Sequence, residues 1–351
     1  MGLPQIDITF NTLAVSAIQR SQRGIVALIL RDDTEGDVVN EFKLSTDVVA
    51  EEWTADSKDY IAQAFKGIPS KVIVIRGATT DVDYTDQLSL LATKQFNWLA
   101  VPGIEAVDTA DIATWIGTMR ASGNMFKAVL PNEAADSEGI VNFTTDGIVV
   151  GENTYTASEY TARIAGIFAG LSLDRSATYF VFTEIENITE TADPDTAIDG
   201  GELILIKQDG KIKIARAVNS LVTTSAEKSV IFKKIKIVEG MDLVKTDIQS
   251  TFNDEYVGKV NNSYDNQVLF ITAVRAYLKG LEGDVLDPNF DNTVGVNVEA
   301  QRLAWEGIGT DTEEWDEQDV KENAFQSNVY LDGSLKFLDA MEDLTMEILL
   351  V

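Results

Sequence analysis

The chain contains no cysteine and no histidine. Without thiols it has no disulfide, no thiolate nucleophile and no zinc–thiolate centre. Without imidazole it has no Ser-His-Asp triad and no HExxH site. Carboxylate or lysine chemistry stays open, so these absences disfavour catalysis without excluding it. Absent cysteines do not reveal the redox compartment. Basic residues are scarce, 28 against 57 acids, for a formal net charge of -29. Such a field repels phosphate and argues against nucleic acid or anionic membrane as partners; it also favours solubility at high concentration. Phosphate-binding loops of the GxxxxGK[ST] or GxGxxG kind are missing. Asp193 and Asp195 have the opening spacing of a calcium loop, but Ile198 stands where that loop needs its turn glycine. No cofactor and no metal are expected. The longest early apolar run, Gly24–Leu30, is too short to span a bilayer. The first twenty residues lack the basic-then-apolar order of a secretory leader, so the expected product is made, and is soluble, in the cytoplasm.

What is present is substantial: 351 residues, 45% of them hydrophobic, enough for two or three domains with a sizeable core. Gly24–Leu30 reads as a buried strand, Ser57–Lys66 as a helix ended by Gly67, and Lys71–Arg76 as a strand. This order makes an α/β unit. Helices around Leu88–Ala92, Ile112–Met119 and Ser158–Gly170 then alternate with strands Trp98–Val101, Lys127–Leu130 and Thr178–Phe182, favouring a mostly parallel sheet. Short strand-like pieces between 139 and 155 read as a small β insertion. Asp209-Gly210 between two β-prone runs predicts a hairpin over Glu202–Ala215. Val230–Val238 reads as a strand, Asp242–Asp254 and Tyr264–Lys279 as helices, and Asn328–Leu338, with Asp332-Gly333, as a second hairpin. The expected divisions are an arm and linker over 1–22, a first α/β domain over 23–90, a second over 91–238 and a C-terminal domain over 239–351.

Both ends of the chain alternate like strands. Ile6, Ile8 and Phe10 share one face near the N-terminus; Leu344, Met346, Ile348 and Leu350 share another at the C-terminus. Termini ordinarily fray and read as polar, so strands here predict partner sheets, in other subunits if the chain assembles by strand exchange. A basic island stands against the acidic background. Lys207 to Lys236 holds eight basic residues and two acids, a balance of +6. Within it Lys211, Lys213, Lys233, Lys234 and Lys236 are candidates for electrostatic docking on an acidic surface; edge-strand protection by lysine explains Lys211 and Lys213 equally well. The acidic run Asp311–Asp319 around Trp315 reads as a solvated loop or helix start. With 57 acids, no carboxylate pair can be singled out for acid/base work.

The run Gly2–Leu30 (GLPQIDITFNTLAVSAIQRSQRGIVALIL) resembles the sheath protein of contractile phage tails, most closely the compact type of defective prophages and R-type bacteriocins. The segments Asp209–Thr223 (DGKIKIARAVNSLVT), Lys236–Asp254, Asp265–Pro288 with YLKGLEGDVLDP, and Asn328–Val351 carry the same resemblance from end to end. The resemblance implies a non-enzymatic subunit that stacks as hexameric rings in a helical sheath around a tail tube. Baseplate and tail terminator proteins would be further partners, and neither nucleic acid nor membrane would be. It implies an α/β (α+β) multidomain fold with a tube-facing C-terminal α+β domain, completed by N- and C-terminal strands exchanged between subunits, the C-terminal arm covering about 339–351. Flexible joins around Thr12–Gln22 and Asp339–Asp343 would let bodies reorient during contraction while strands stay paired. Assembly would be cytoplasmic, with release on lysis. The rival from another class is a cytoplasmic α/β enzyme using carboxylate or lysine chemistry; a tube protein would be smaller and richer in β structure.

Overall fold

The computed structural model describes residues 24–350. Ile6, Ile8, Phe10 and the Thr12–Gln22 join lie outside the described residues. Residues 24–246 with 338–350 make one compact unit, and 247–337 make another.

The larger unit is organised by a seven-stranded sheet. Its strands are β1 (Ile25–Arg31), β2 (Val39–Phe42), β3 (Lys71–Gly77), β4 (Trp98–Ala100), β5 (Lys127–Pro131), β6 (Ile140–Phe143) and, numbered later in the chain, β10 (Glu202–Leu203). The order is β10-β6-β5-β4-β1-β3-β2, parallel throughout except for the edge strand β2. Residues 25–30 are buried on both sides of the sheet, as an unbroken apolar run in a parallel sheet requires. The sheet draws strands from both sides of the expected 90/91 division, with β3 and β4 flanking β1.

Helices cover both faces. On one lie α1 (Ala55–Phe65) and α4 (Ala157–Gly170), packing Ile61, Ile164 and Phe168 with Val26, Leu28, Trp98 and Phe143. On the other, α2 (Thr85–Leu91) and α3 (Thr109–Ala121) bury Leu88, Leu91, Ile112 and Ile116 against Ala27, Ile29, Ile73 and Leu99. Helix α4 starts at a capping box, in which Thr156 accepts from the Glu159 N–H and Glu159 reaches back to Thr156. It then meets the end of α1 at very close range. A Cβ on Gly166 would lie 2.2 Å from the Ala64 carbonyl oxygen, and one on Gly170 would lie 1.7 Å from that of Gly67. Glycine is required at both for the helices to touch.

Several elements depart from the sequence expectation. Ile140–Phe143 joins the main sheet as β6; the piece that stands apart is a hairpin of β7 (Ile148–Val150) and β8 (Asn153–Tyr155). The expected strand Thr178–Phe182 shrinks to β9 (Val181–Phe182), because Tyr179 adopts a positive φ of 59°. After the short helix α5 (Pro194–Asp199), the hairpin β11 (Leu205–Gln208) and β12 (Lys211–Ile214) forms as expected. Asp209 and Gly210 have φ of 53° and 71°, as a two-residue type I′ turn demands. Strand β12 is the centre of a three-stranded sheet, β11-β12-β9. The expected strand Val230–Val238 is instead a 3-10 turn over Val230–Lys233 followed by helix α6 (Ile235–Thr251). Its β-branched residues suggested a strand, a preference that packing readily overrides.

The division between the units falls inside α6, after Thr246. The smaller unit contains the end of α6, a π-turn over Phe252–Tyr256, α7 (Tyr264–Leu281), β13 (Thr293–Val296), α8 (Val298–Gly307), α9 (Glu317–Glu322) and β14 (Leu331–Ser334). Helix α7 buries Phe270, Val274, Tyr277, Leu278 and Leu281 at helical spacing. The acidic run is structured: Asp316 caps α9 with Asp319, Trp315 meets Trp305 edge-on, and Arg302 donates to the Thr312 and Trp315 carbonyls. Asp332-Gly333 is not a turn. It sits inside β14, paired antiparallel with β13. A Cβ on Gly333 would lie 2.3 Å from the Thr293 oxygen, so this glycine serves close backbone approach.

Candidate assembly surface

The C-terminal segment places its apolar face in solvent. Leu344 is 86% exposed, Met346 69%, Ile348 69% and Leu350 95%, and residues 338–350 form no regular element in the single chain. The alternation seen in the sequence thus has no partner sheet among the described residues. Isolated exposed aliphatics are ordinary; four in alternation, with Leu349 85% exposed between them, make a concentrated apolar surface.

A ladder with free edges occurs in the smaller unit. Strands β13 and β14 form a two-stranded sheet of their own. The Asn297 N–H donates to the Tyr330 carbonyl at 2.9 Å and continues the ladder. Because bonded pairs alternate in an antiparallel ladder, Gly295 with Asp332 is the next bonded pair. Val294, Val296, Leu331 and Gly333 therefore turn their N–H and C=O groups outward. Arg275 of α7 occupies one of these, donating from Nε and Nη2 to the Val294 carbonyl at 2.9 and 2.7 Å. A shallow groove of about 900 Å³, lined by Arg275, Lys279, Asn289, Phe290 and Thr293 among others, runs beside β13. It holds one carboxylate from Glu282 and one from Asp291 beside two cations, not the converging acids a carboxylate enzyme would need. Among the described residues no group of acids is placed to hold a metal ion, and no helix is long and apolar enough to cross a membrane.

The basic island divides into groups with different surroundings. Lys211 is exposed and has no ion pair among the described residues, and neither has the half-buried Lys233. Lys213 lies 3.9 Å from Asp209, donates to Gln208 Oε1 at 3.2 Å and sits over the Tyr179 ring. Since β12 is a central strand, edge protection does not account for these two lysines. Lys234 pairs with Asp339 and lies 3.7 Å from Glu342. Lys236 donates to the Leu338 carbonyl at 2.7 Å. Arg216 reaches Asp343 at 2.6 Å and Glu342 at 4.0 Å. The groups that Arg216, Lys234 and Lys236 bind, three acids and a main-chain carbonyl, are therefore supplied by the chain's own residues 338–343. The expected flexible join at Asp339–Asp343 is a held segment in the single chain.

Glu342 is the centre of this contact. Its side chain is 7% exposed, and Oε1 accepts from Ser176 Oγ at 3.0 Å and Thr178 Oγ1 at 2.6 Å. Burial works to lower the Arg216 pKa, but the hydrogen bond and charge of Asp343, with the charge of Glu342, outweigh it and raise it. Burial lowers the Lys236 pKa, with Asp339, Asp174 and Glu342 only partly opposing. Sequence reading missed Asp339, Glu342 and Asp343 as site residues. The available signal was three acids in five positions within a chain carrying a single concentrated basic segment.

A second charged cluster fixes the start of α6. Asp242 is buried and accepts from Arg120 through both oxygens at 2.8 and 3.0 Å and from Lys127 Nζ at 2.9 Å. Lys127 is 1% exposed, lies 3.0 Å from Glu239 and faces the Trp98 ring. Burial pushes the Asp242 carboxyl up, and the two cations overcome it and hold it below the usual range.

Comparison with known proteins gives a consistent picture. Residues 77–220 match the family model for the phage tail sheath protein central domain, and residues 227–350 match that for the phage tail sheath C-terminal domain. The tail sheath protein of Clostridium phage phiCD119 is 40% identical over 359 residues, covering 99% of each chain. The phage-like element PBSX protein XkdK of Bacillus subtilis is 32% identical over 179 residues, 49% of this chain and 38% of that protein. In fold, the chain is similar to the sheath tail protein of Desulfitobacterium hafniense, with a TM-score of 0.71 at 18% identity, covering 84% of this chain and 94% of that one. It is equally similar, at TM-score 0.71 and 11% identity, to the helical sheath of the anti-feeding prophage in its contracted state, covering 99% of both.

Proposed function

This chain belongs to the phage tail sheath protein family, and we propose that its copies stack as hexameric rings around a tail tube, joined by exchanged strands. As a member of that family it is a structural subunit, not an enzyme. In the proposed assembly the segment Leu344–Leu350 of one copy adds to the β13–β14 ladder of another. The N-terminal run with Ile6, Ile8 and Phe10 adds likewise, so that two own strands become four. Strand addition supplies main-chain hydrogen bonds along the outward edges and pockets for alternate side chains.

One observation carries this reading: an exposed alternating apolar segment and a two-stranded ladder with outward backbone groups occur in the same chain, each without its complement among the described residues. Unpaired edges of this kind are templates for another chain. The tube-facing part would be the C-terminal domain, around 247–337, with 1–22 and the residues after Leu338 as arms. Contraction would turn and slide the bodies while the joints stay paired, driving the tube through a target envelope. The tube, baseplate and terminator would be the hetero-partners. Assembly would take place in the cytoplasm, with release on lysis. The contracted-state helical sheath among the fold relatives supports the contractile reading.

Negative-stain electron microscopy of the purified chain tests it. Hollow cylinders are expected for the full chain. Folded particles that do not polymerise are expected when Met1–Asn11 or Leu344–Val351 is deleted. Normal cylinders from either truncation would refute strand exchange.

A further inference from the structure

We infer that residues Leu338–Asp343 form a charge latch that stores slack in the C-terminal arm. This rests on the exchange reading for its purpose, though not for its geometry. Four separate contacts hold the short segment to its own unit: Leu338 through its carbonyl to Lys236, Asp339 to Lys234, Glu342 to Ser176 and Thr178, and Asp343 to Arg216. The contacts stop abruptly. Met341 between them is fully exposed, and from Leu344 onward the apolar face is in solvent. The arm therefore has a fixed root and a free blade.

The root's chemistry suits release. Glu342 Oε2 accepts no hydrogen bond among the described residues, and its nearest cations stand 3.7 and 4.0 Å away. The Asp343 side chain is 78% exposed and that of Asp339 39%. Exposed pairs of this kind are individually weak. Its apolar side chains Leu338 and Ala340 are only half-buried, so opening it exposes little core. The gain in reach is large. The blade Leu344–Leu350 spans at most about 23 Å at roughly 3.3 Å per extended residue, and freeing Leu338–Asp343 adds at most about 20 Å. A joint whose partner moves could lengthen without unpairing its strand.

The chain has no cysteine, so single nitroxide labels at Met341→Cys and Leu349→Cys are unambiguous. In the unassembled full chain the 341 label, solvent-exposed but on a pinned backbone, should give a distinctly slower electron-spin-resonance line shape than the 349 label. In an Arg216→Ala/Lys234→Ala background, and separately with Glu342→Gln, the 341 label should speed up and approach the 349 line shape. Equal mobility of both labels in the unmodified background, or a 341 line shape unchanged by both sets of substitutions, would overturn the latch. Because these spectra are taken before assembly, they are independent of strand exchange. Substitution of Ile348 tests exchange separately, with the latch residues intact.

Discussion

Ile348 gives the exchange proposal a quantitative test. It is 69% exposed in the single chain, and an extended strand would place it on one face with Leu344, Met346 and Leu350. Burying a whole isoleucine is worth about 1.5–3 kcal/mol, so the part still exposed is worth about 1–2 kcal/mol per joint. Ile348→Ala forfeits most of this. Since 1.4 kcal/mol is tenfold in an equilibrium constant, the concentration needed for assembly should rise by about 5–30-fold. Ile348→Asp adds an unpaired carboxylate to an apolar slot, a penalty of several kcal/mol, and cylinders should vanish at workable concentrations. Leu349→Asp is the control. Leu349 is 85% exposed and faces the other way along an extended strand, so assembly should stay within about threefold of the parent. None of the three should change the urea stability of the unassembled chain by more than about 0.5 kcal/mol, because all act on a solvated segment. Sedimentation and negative-stain imaging across a concentration series read the result. Equal loss from the two aspartates, or normal cylinders from Ile348→Asp, would refute the face assignment.

Three further predictions concern the folded unit. Asp242→Asn leaves Lys127 and Arg120 with one full carboxylate fewer in a buried cluster, and should cost about 3–5 kcal/mol in urea unfolding. Gly166→Ala forces a Cβ to 2.2 Å from the Ala64 oxygen, so it should cost about 1–3 kcal/mol by the same measurement despite alanine's better helix propensity. Asp32 is buried, which raises its pKa, but donors from Ser57, Thr34 and Thr54 outweigh this and depress it far below the carboxylate range. A depressed folded pKa stabilises the fold above the unfolded value of about 3.9, and that contribution is lost as pH falls. Thermal stability should therefore drop as pH is lowered through about 4 and beyond, and Asp32→Asn should flatten that drop while lowering stability at pH 7.

The central sheet was legible because its strands are continuous apolar runs and its helices show clear apolar spacing with caps. Ile25–Arg31, Lys71–Gly77 and α4 lie within a residue or two of expectation. The Asp209-Gly210 hairpin was legible for a different reason: its turn chemistry is local. Non-local pairing was not legible. Asp332-Gly333 carries the same dipeptide, yet its strand pairs with Thr293–Val296, nearly forty residues earlier. Nothing within a ten-residue window distinguishes a turn glycine from one that admits a close partner backbone. Val230–Val238 failed because β-branched residues alternating with lysine mimic a strand, while burial of Ile235 and Val238 follows a helical spacing. For the assembly surface, alternation exposed the arm face directly. The basic island was visible as charge, but its partners were marked only by the clustering of Asp339, Glu342 and Asp343, a weak signal in a chain with 57 acids, and their pairing with it is non-local.

The basic island's placement explains why its cations are needed there. The chain leaves the larger unit once, along α6, and returns to it once, at Leu338. Both crossings are tied to the larger unit by charge. Asp242 and Glu239, on the outgoing helix, meet Arg120 and Lys127; Lys234 and Lys236, at the head of that helix, meet the returning residues Leu338, Asp339 and Glu342. Entry and exit are thereby fixed within a few residues of each other, which is the arrangement that lets a segment be inserted without distorting its host. The two anchors differ in strength by design of their surroundings. The outgoing one is buried, with Lys127 at 1% exposure, so a broken pair there leaves an uncompensated charge. In the returning one the Glu342 side chain is buried, but Arg216, Lys234, Asp339 and Asp343 around it are partly or largely exposed, so those ions can rehydrate when they part. A sheath subunit under load would thus yield first at the root of its C-terminal arm, with α6 still held against the sheet.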